Sequence, residues 1–370
     1  MGHLTTDLFD PAESCLGQTL RLGAHTARIN ATQTGRLADV AVRPQGGAKG
    51  LRFGVFPFDR GAAGWLYDTT PADVVPQAHT RQAVTAGHTL QRLPDPQVYG
   101  QAVARAVARL SDGSDPLQKV VLARALDYST DGRIDPHAVA DRLGQDSHVT
   151  SYALPLPRAA ATPLWLVGAT PEVLLDKRGG QVVSHPLAGS ARRSADPQTD
   201  RAVADALLQS AKDLAEHKYV VDYIHDILSP YCAQLDTPAR PDVCCTASMW
   251  HLGTMIRGTL RDPDTPCLEL LSNLHPTPAV AGTPLPEALD VIADAEPEPR
   301  GFYAGTLGWL DGQGDGTWYV TLRCAILDDR RARLYAGAGI VADSTPEAEI
   351  AETRAKFTAM RAALGIDTTL

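Results

Sequence analysis

A hairpin signal lies near the C-terminus, in the consecutive segments Gly305-Thr-Leu-Gly-Trp-Leu310, Asp311-Gly-Gln-Gly-Asp-Gly316 and Trp318-Tyr-Val-Thr-Leu-Arg-Cys-Ala-Ile326. The outer segments are largely apolar, and glycine and aspartate fill the segment between them. This pattern is typical of two strands joined by a turn. Further strand-like segments occur at 51–58, 119–126, 164–167 and 172–175, without a regular alternation of strands and helices. We therefore predict an α+β protein with large, mainly antiparallel sheets.

Helical patterns separate these strands. Residues 98–110 have helical spacing of alanine, valine and leucine, and a buried stripe predicts a single helix from Arg201 to about Leu228. Residues 283–300 predict a short helix between loops. Thr345 as N-cap and Pro346 at the first helical position predict the start of the last helix. No linker is visible, so we expect one domain over residues 1–370.

The composition excludes some classes of partner. The 370 residues carry 43 acidic and 34 basic side chains, a net charge of −9, without a run of basic residues. Nucleic acid is therefore an unfavourable partner. No segment approaches the roughly 18 consecutive apolar residues of a membrane span, and the first residues do not resemble a secretory signal. The six cysteines form no CxxC motif, so we expect reduced thiols in a cytoplasmic protein.

Several charged residues occupy positions that suit apolar ones. Glu216 falls in line with apolar residues of the predicted helix at 201–228, and Glu349, Glu352 and Lys356 share one side of the last helix. Each pattern alone also fits a solvated helix edge or a row of ion pairs. Together, two helices that each present a glutamate could hold a magnesium ion, because this ion favours one or two carboxylates.

Lys119 and Glu172 also interrupt apolar surroundings. Lys119 begins a strongly apolar strand, where its side chain could extend to solvent from the strand end. If it is buried, it could act as a base near neutral pH. Glu172 follows a Thr-Pro turn between two strands, so it is either a turn-capping acid or a carboxylic acid kept protonated by an apolar site.

Two glycine-containing segments could bind an anion. Gly337-Ala-Gly339 is predicted between a strand and a helix, where backbone N–H groups can approach a negative charge. Ala188-Gly189-Ser190 could do the same. Neither motif is specific by itself, and a histidine placed as His251 is, after Met249-Trp250, is more often a packed strand residue than a ligand.

Taken together, the sequence resembles the chorismate-utilising enzymes, and most closely the isochorismate synthases, from about residue 95 onward. The first 95 residues match more loosely, chiefly through Phe56-Pro-Phe-Asp59, so the resemblance implies a more divergent part at 1–95 and a catalytic core at 96–370. The segments that carry the resemblance are Lys119-Val-Val-Leu-Ala-Arg124, Gly168-Ala-Thr-Pro-Glu172, His185-Pro-Leu-Ala-Gly-Ser190, Ser210-Ala-Lys-Asp-Leu-Ala-Glu-His217, Trp250-His-Leu-Gly-Thr-Met-Ile-Arg-Gly258, Leu274-His-Pro-Thr-Pro-Ala-Val-Ala-Gly282, Arg300-Gly-Phe-Tyr-Ala-Gly305 and Ala336-Gly-Ala-Gly-Ile-Val341, followed by Glu349, Glu352 and Lys356.

The resemblance implies a single large domain of two mainly antiparallel sheets flanked by helices, and magnesium-dependent chemistry on chorismate. Lys119 corresponds to the base that activates water for attack at ring C2, and Glu172 to the acid that protonates the departing C4 hydroxyl. Glu216 and Glu352, with Glu349 close by, correspond to the Mg²⁺ ligands. The implied substrate contacts are Gly189, Ser190, His251, Thr254, Ala279, Arg323, Gly337, Gly339 and Lys356.

Three positions favour isochorismate synthases within this family. Ammonia-using relatives typically carry glutamine at the position of Lys119, and one type places a nucleophilic lysine at the position of Ala188. His275-Pro-Thr-Pro-Ala279 resembles the isochorismate synthases more than the salicylate synthases. We therefore expect an isomerase that interconverts chorismate and isochorismate for siderophore biosynthesis, acting as a monomer without a glutamine amidotransferase subunit.

The sequence leaves three alternatives open. These are a salicylate synthase that also eliminates pyruvate, an isochorismate synthase of menaquinone biosynthesis, and a non-catalytic subunit that binds chorismate.

Overall fold

The computed structural model describes residues 11–41, 50–72 and 89–366. These residues form twenty strands, eight α-helices and a short 3-10 helix at Pro11–Cys15. The strands are β1 (Thr19–Leu22), β2 (His25–Gly35), β3 (Arg52–Phe56), β4 (Gly64–Pro71), β5 (Thr89–Leu93), β6 (Lys119–Ser129), β7 (Thr150–Leu156), β8 (Leu164–Thr170), β9 (Val173–Arg178), β10 (Gln181–His185), β11 (Leu187–Arg192), β12 (Cys232–Asp236), β13 (Asp242–Cys245), β14 (Met249–Gly253), β15 (Ile256–Leu260), β16 (Gly282–Thr283), β17 (Thr306–Leu310), β18 (Gly316–Val320), β19 (Cys324–Asp328) and β20 (Arg331–Ile340). The helices are α1 (Leu37–Ala41), α2 (Pro96–Leu110), α3 (Pro136–Leu143), α4 (Pro197–Gln209), α5 (Ala211–Leu228), α6 (Cys267–Leu274), α7 (Leu285–Ala295) and α8 (Pro346–Leu364).

The strands form two sheets. In the described part of the chain, 17 strands belong to one hydrogen-bonded sheet and three, β11, β14 and β13, form the other. The pairings are antiparallel, from the β17–β18 hairpin to the long β6–β20 pair. The prediction of an α+β protein with two mainly antiparallel sheets is therefore confirmed.

The N-terminal strands belong to the large sheet. Strand β1 pairs with β7, and β3 pairs with β17 over Arg52–Phe56. The partner strands lie far along the chain from β1 and β3. Backbone hydrogen bonds between the paired strands therefore join the N-terminal part to the rest of the sheet. This arrangement agrees with one large domain.

The helices cover the sheets. Helix α8 packs against β20 and α2, and α5 packs against β11. Thr345 caps α8 through Ala348 N, and Pro346 opens it, so the predicted helix start is confirmed. None of the helices in residues 11–41, 50–72 and 89–366 is both long and apolar enough to cross a membrane.

Two predicted elements are wrong in extent. The expected helix from Arg201 to Leu228 is two helices, because Ser210 ends α4 and its hydroxyl accepts the N–H of Asp213 at the start of α5. The expected strand 318–326 is interrupted at 321–323, where Arg323 has a φ of 48°. The interruption separates β18 from β19, so each pairs with a different strand, β9 and β8 respectively.

Candidate active site

An open cavity of about 690 Å³, its mouth included, lies between the sheets and helices α5 and α8. Its lining combines apolar side chains with a few charged ones, as small-molecule sites do. Every residue that lines it lies between Val121 and Lys356, within the expected catalytic core. The lining residues are Val121, Pro171, Glu172, Leu187, Ala188, Gly189, Ser190, Glu216, His251, Ala279, Val280, Tyr303, Leu322, Arg323, Tyr335, Ala336, Gly337, Gly339, Glu352 and Lys356.

Most of the residues singled out in the sequence are brought together here. Three of them, Lys119, Glu349 and Thr254, are not among the lining residues. Lys119 and Glu349 lie directly behind the cavity wall. Lys119 contacts the lining residue Glu216, and Glu349 lies one helical turn from the lining residue Glu352. Those that line the cavity are Glu172, Gly189, Ser190, Glu216, His251, Ala279, Arg323, Gly337, Gly339, Glu352 and Lys356.

Lys119 lies at the start of β6 and is 0% exposed, so it does not extend to solvent. Its Nζ atom is 3.1 Å from Oε1 of Glu216, which α5 presents from its buried side. Gly339 makes this contact possible, since a Cβ at that position would lie 2.0 Å from the same Glu216 oxygen and 3.2 Å from Cε of Lys119. Strand β20 thus needs glycine at 339 to admit the ion pair.

Glu172 lies between β8 and β9 and is 2% exposed. Burial raises the pKa of its carboxyl to about 8, although the positive charges of Lys119, Lys356 and Arg323 act in the opposite direction. Its Oε1 is buried without a hydrogen-bond partner among the described residues. Glu172 therefore lines the cavity with a carboxyl that keeps its proton at neutral pH, which is the protonation state that a general acid requires.

Arg323 and His251 form a second pair of interacting side chains. Arg323 Nη2 donates to Nε2 of His251 at 2.7 Å. Burial and the positive charge of Arg323 hold the pKa of His251 well below its usual range, so the imidazole is neutral. A neutral imidazole whose Nε2 accepts from Arg323 carries its proton on Nδ1. The guanidinium, placed by the positive φ of Arg323, remains available to an anion in the cavity.

Lys356 and Glu352 lie one turn apart on α8. Their side chains form an ion pair at 2.6 Å, and Lys356 Nζ also donates to the carbonyl oxygen of Gly337 at 2.9 Å. Ser190 donates to Glu352 Oε1 at 3.0 Å. These contacts hold a cation and a carboxylate on the same side of the cavity.

Glu349 is 0% exposed and lies one turn before Glu352 on α8. Its Oε1 is 2.6 Å from Nζ of Lys212 on α5, and its Oε2 has no hydrogen-bond partner among the described residues. Burial and the neighbouring Glu352 carboxylate raise the pKa of Glu349. The sequence-based inference overlooked Lys212, although it stands inside the quoted segment Ser210–His217.

The donor chemistry of the three glutamates fits a hard divalent cation. Glu216, Glu349 and Glu352 offer only carboxylate oxygens, the ligands that Mg²⁺ prefers, and Oε2 of Glu349 is an unpartnered buried acceptor. As placed, no three His, Cys, Asp or Glu side chains in the described residues are grouped closely enough to hold an ion. Each glutamate is paired with a lysine instead, namely Lys119, Lys212 and Lys356.

Thr254 lies apart from the cavity lining. Its hydroxyl is 2.7 Å from Nε2 of His217, and both side chains are buried. Burial lowers the pKa of His217 to about 4, so this contact joins two neutral groups. The arrangement is that of a hydrogen bond within the core.

The sequence predicted Gly337 and Gly339 between a strand and a helix, and this prediction is wrong. Both lie within β20, opposite Ala123 and Val121 of β6. The strand continues to Ile340 because its pairing with β6 continues that far. Gly337 instead gives room to Tyr303, whose hydroxyl would lie 2.7 Å from a Cβ at this position.

Two tyrosines of the cavity wall also escaped the sequence-based inference. The rings of Tyr303 and Tyr335 stack with centroids 5.1 Å apart and an interplanar angle of 7°. Tyr303 stands within the quoted segment Arg300–Gly305, so that motif was the available signal. Tyr335 follows an ordinary strand pattern that does not distinguish it.

Comparisons with known proteins identify the family of this chain. Residues 69–365 match the model of the chorismate binding enzymes. Isochorismate synthase DhbC of Bacillus subtilis is 42% identical over 348 residues, which cover 91% of this chain and 86% of the relative. Isochorismate synthase EntC of Escherichia coli K12 is 40% identical, covering 75% of this chain and 69% of the relative.

A solved structure extends the comparison to the whole fold. The crystal structure from Bacillus anthracis named for a 2,3-dihydroxybenzoate-specific isochorismate synthase, DhbC, superimposes with a TM-score of 0.85 at 37% identity. The superposition covers 95% of this chain and 97% of the other.

Proposed function

The chain belongs to the chorismate-binding enzymes, and we propose that it is an isochorismate synthase, an isomerase that interconverts chorismate and isochorismate with the help of Mg²⁺. The curated relatives reported above carry the name isochorismate synthase and match most of their own length. Both the names of the relatives and the chemistry of the cavity support this reaction.

One observation carries the proposal. The cavity combines a carboxyl that keeps its proton at neutral pH, Glu172, with the cations Arg323 and Lys356 and the carboxylates Glu216 and Glu352. A ring that bears two carboxylates and a hydroxyl leaving group needs both anion binding and an acid for the departing oxygen. The site therefore has the groups that this substrate requires.

We assign the proton transfers to Lys119 and Glu172. Lys119 in its neutral form accepts a proton from water as the water oxygen bonds to ring C2. Glu172 donates its proton to the C4 hydroxyl, which departs as water while the ring double bonds shift. One water enters and one leaves, so the overall reaction is an isomerisation, and proton exchange restores both side chains. An ammonium held in an ion pair has no lone pair, so this role requires the contact of Lys119 with Glu216 to open.

Glu216, Glu349 and Glu352 would hold the metal ion. A bound Mg²⁺ would supply positive charge for the ring carboxylate and for the three glutamates. Without it, the lysine partners of these glutamates balance their charge. Arg323, held by His251, would bind the enolpyruvyl carboxylate, and Lys356 would add a second cation. Gly189, Ser190, Ala279 and the backbone at Gly337 and Gly339 would complete the substrate contacts.

We further propose that the product supplies siderophore biosynthesis in the cytoplasm. The structure named as 2,3-dihydroxybenzoate-specific, which superimposes on 95% of this chain, supports this use, and relatives named MenF keep menaquinone formation as the alternative. All six cysteines are free, as expected where thiols stay reduced. A lysine at position 119 argues for water as nucleophile, so the proposal includes neither an ammonia-supplying amidotransferase nor an obligatory partner subunit, and we expect a monomer.

The test is incubation of the purified chain with chorismate and MgCl₂, followed by chromatography of the ring products and an enzymatic assay for pyruvate. We expect a mixture of chorismate and isochorismate, no sustained pyruvate release, and loss of turnover with EDTA. Steady pyruvate formation would identify a salicylate synthase instead. Binding of chorismate without consumption would identify a non-catalytic subunit.

A further inference from the structure

Lys212 is the one lysine of the three carboxylate pairs to which the proposed reaction gives no role. It lies in the first turn of α5, and its Nζ is 2.6 Å from Oε1 of Glu349 on α8. A cation in the first turn of a helix is unfavourable, because the helix dipole places positive charge there. The position of Lys212 is therefore better explained by Glu349 than by the helix that carries it.

The two partners differ in how freely they can move. Glu349 is 0% exposed, whereas the side chain of Lys212 retains 25% of its exposure. The lysine stem is flexible and can withdraw towards solvent, whereas the carboxylate cannot. A buried carboxylate that loses its counter-ion is strongly destabilising unless another cation replaces it. Oε2 of Glu349, which has no partner among the described residues, is free for such a cation.

We propose that Lys212 is the resident counter-ion of Glu349, which holds this carboxylate in place before a divalent cation binds and withdraws when the cation arrives. The inference depends on the metal site proposed above. Its consequence is that Lys212 lowers the affinity of the site for metal, because ion and ammonium compete for one carboxylate.

The alternative to competition is that Lys212 orients the Glu349 carboxylate. If Lys212 stayed in contact with Glu349 and aimed it at the ion, removal of the lysine would weaken metal binding, as loss of an orienting partner does. Competition and orientation therefore predict changes of opposite sign in one measured affinity.

The first experiment compares Lys212→Met and Lys212→Gln with the wild type and with Lys218→Met, using isothermal titration of Mg²⁺ without substrate. Lys218 is a matched control, since it lies on the same helix, is 72% exposed and pairs with Asp222. We expect both Lys212 variants to bind Mg²⁺ about tenfold more tightly, the effect of removing one positive charge near a dication. We expect the Lys218 variant to bind as the wild type does.

The second experiment uses the wild type alone, so it holds even if the variants fold poorly. Lysine acetylation by a limiting reagent is followed by mass spectrometry with and without Mg²⁺. We expect the ratio of Lys212 to Lys218 modification to rise at least severalfold in Mg²⁺, because an ammonium released from an ion pair becomes accessible and more reactive.

The outcomes separate the two proposals. Unchanged or weaker Mg²⁺ binding in the Lys212 variants, or an unchanged modification ratio at saturating Mg²⁺, would overturn the role of Lys212 while leaving the metal site intact. Absence of Mg²⁺ binding by the wild type would remove the metal site itself, and with it this inference.

Discussion

The cavity and the Glu296–Arg300 pair are two groups of buried charges that contact the same strand, β6. Arg300 donates to both oxygens of Glu296 and to the carbonyls of Val280 and Val121, while Glu296 accepts the N–H of Ala123. The ring of Phe58 covers the guanidinium, with its centroid 4.5 Å from Cζ of Arg300. Within the described residues, every buried side-chain nitrogen and oxygen of Glu296 and Arg300 has a hydrogen-bond partner.

The charged side chains of the cavity and of the wall behind it have less complete hydrogen bonding. Oε1 of Glu172 and Oε2 of Glu349 are buried without partners in the described structure. An unpartnered buried polar group costs free energy, so it persists where a ligand or a reaction uses it. The comparison teaches that burial of charge alone does not distinguish the two regions, whereas the pairing of the buried carboxyl oxygens does. An unpartnered atom is not by itself a site, since Glu287 Oε2 on α7 is also unpartnered among the described residues and lies outside the cavity lining.

The largest effect is expected for turnover. Lys119→Ala and Glu172→Gln should each lower kcat roughly 10²- to 10⁴-fold, the usual contribution of a general base or acid. Glu172→Gln removes no ion pair, so circular dichroism and thermal unfolding should show a folded protein. Lys119→Ala leaves the Glu216 carboxylate without its partner and should lower stability, so its kcat is compared per folded molecule. Retention of full activity by either variant would contradict its assigned role.

The saturated pair should respond in the opposite way. Arg300→Met leaves the Glu296 carboxylate buried without its partner, so we expect a loss of about 3–5 kcal/mol in the free energy of unfolding. Urea denaturation measures this loss. The activity per folded molecule should change far less than in the Glu172 variant. A stable Arg300 variant without turnover would show that this pair belongs to the catalytic site after all.

A third prediction concerns pH. The pKa of Glu172 is about 8 in the folded protein, whereas the unfolded chain releases this proton near the ordinary glutamate pKa of 4.5. Between these values unfolding releases a proton, so Glu172 makes the protein less stable by about 1.4 kcal/mol for each unit of rising pH. Glutamine at 172 removes this contribution. Turnover by the wild type should fall as the pH rises through about 8, because the acid then loses its proton.

The pH test uses the difference in unfolding free energy between the wild type and Glu172→Gln, measured in urea at pH 5.5, 6.5 and 7.5. Other titrating groups cancel in this difference. The variant should gain stability relative to the wild type as the pH rises. Parallel curves would show that Glu172 is ionised within the fold.

The smallest effect is expected at Thr254. The resemblance to the family implied a substrate contact, but its hydroxyl bonds His217 within the core. Thr254→Val should cost about 1 kcal/mol of stability, the net value of one hydrogen bond, and leave KM for chorismate unchanged. A raised KM with unchanged stability would restore Thr254 to the substrate site.

Elements that depend on neighbouring residues were predictable from the sequence, whereas features that depend on contacts between distant residues were not. The β17–β18 hairpin and the start of α8 depend on neighbouring residues, so turn and cap patterns predicted them. The interruption at Arg323 has no such signal, since the apolar pattern runs through it. Its positive φ lies at the point where the chain passes from β18, paired with β9, to β19, paired with β8.

The site shows the same limit. Glu216 was recognisable as a carboxylate on an apolar stripe, and Lys119 as a charge on an apolar strand, but nothing local indicated that the two would meet. They lie on α5 and β6, and only the tertiary structure brings them within 3.1 Å. Their roles came from the family resemblance and remain predictions.

Gly339 has a further consequence for how this site can be altered. One methyl group at this position would overlap the Glu216 carboxylate. Alanine at 339 would therefore block part of the proposed site from within the chain. It would displace a proposed metal ligand and the partner of Lys119 while every charged residue stayed in the sequence. A mutational survey confined to charged side chains would miss Gly339, whose contribution is the space that its absent side chain leaves.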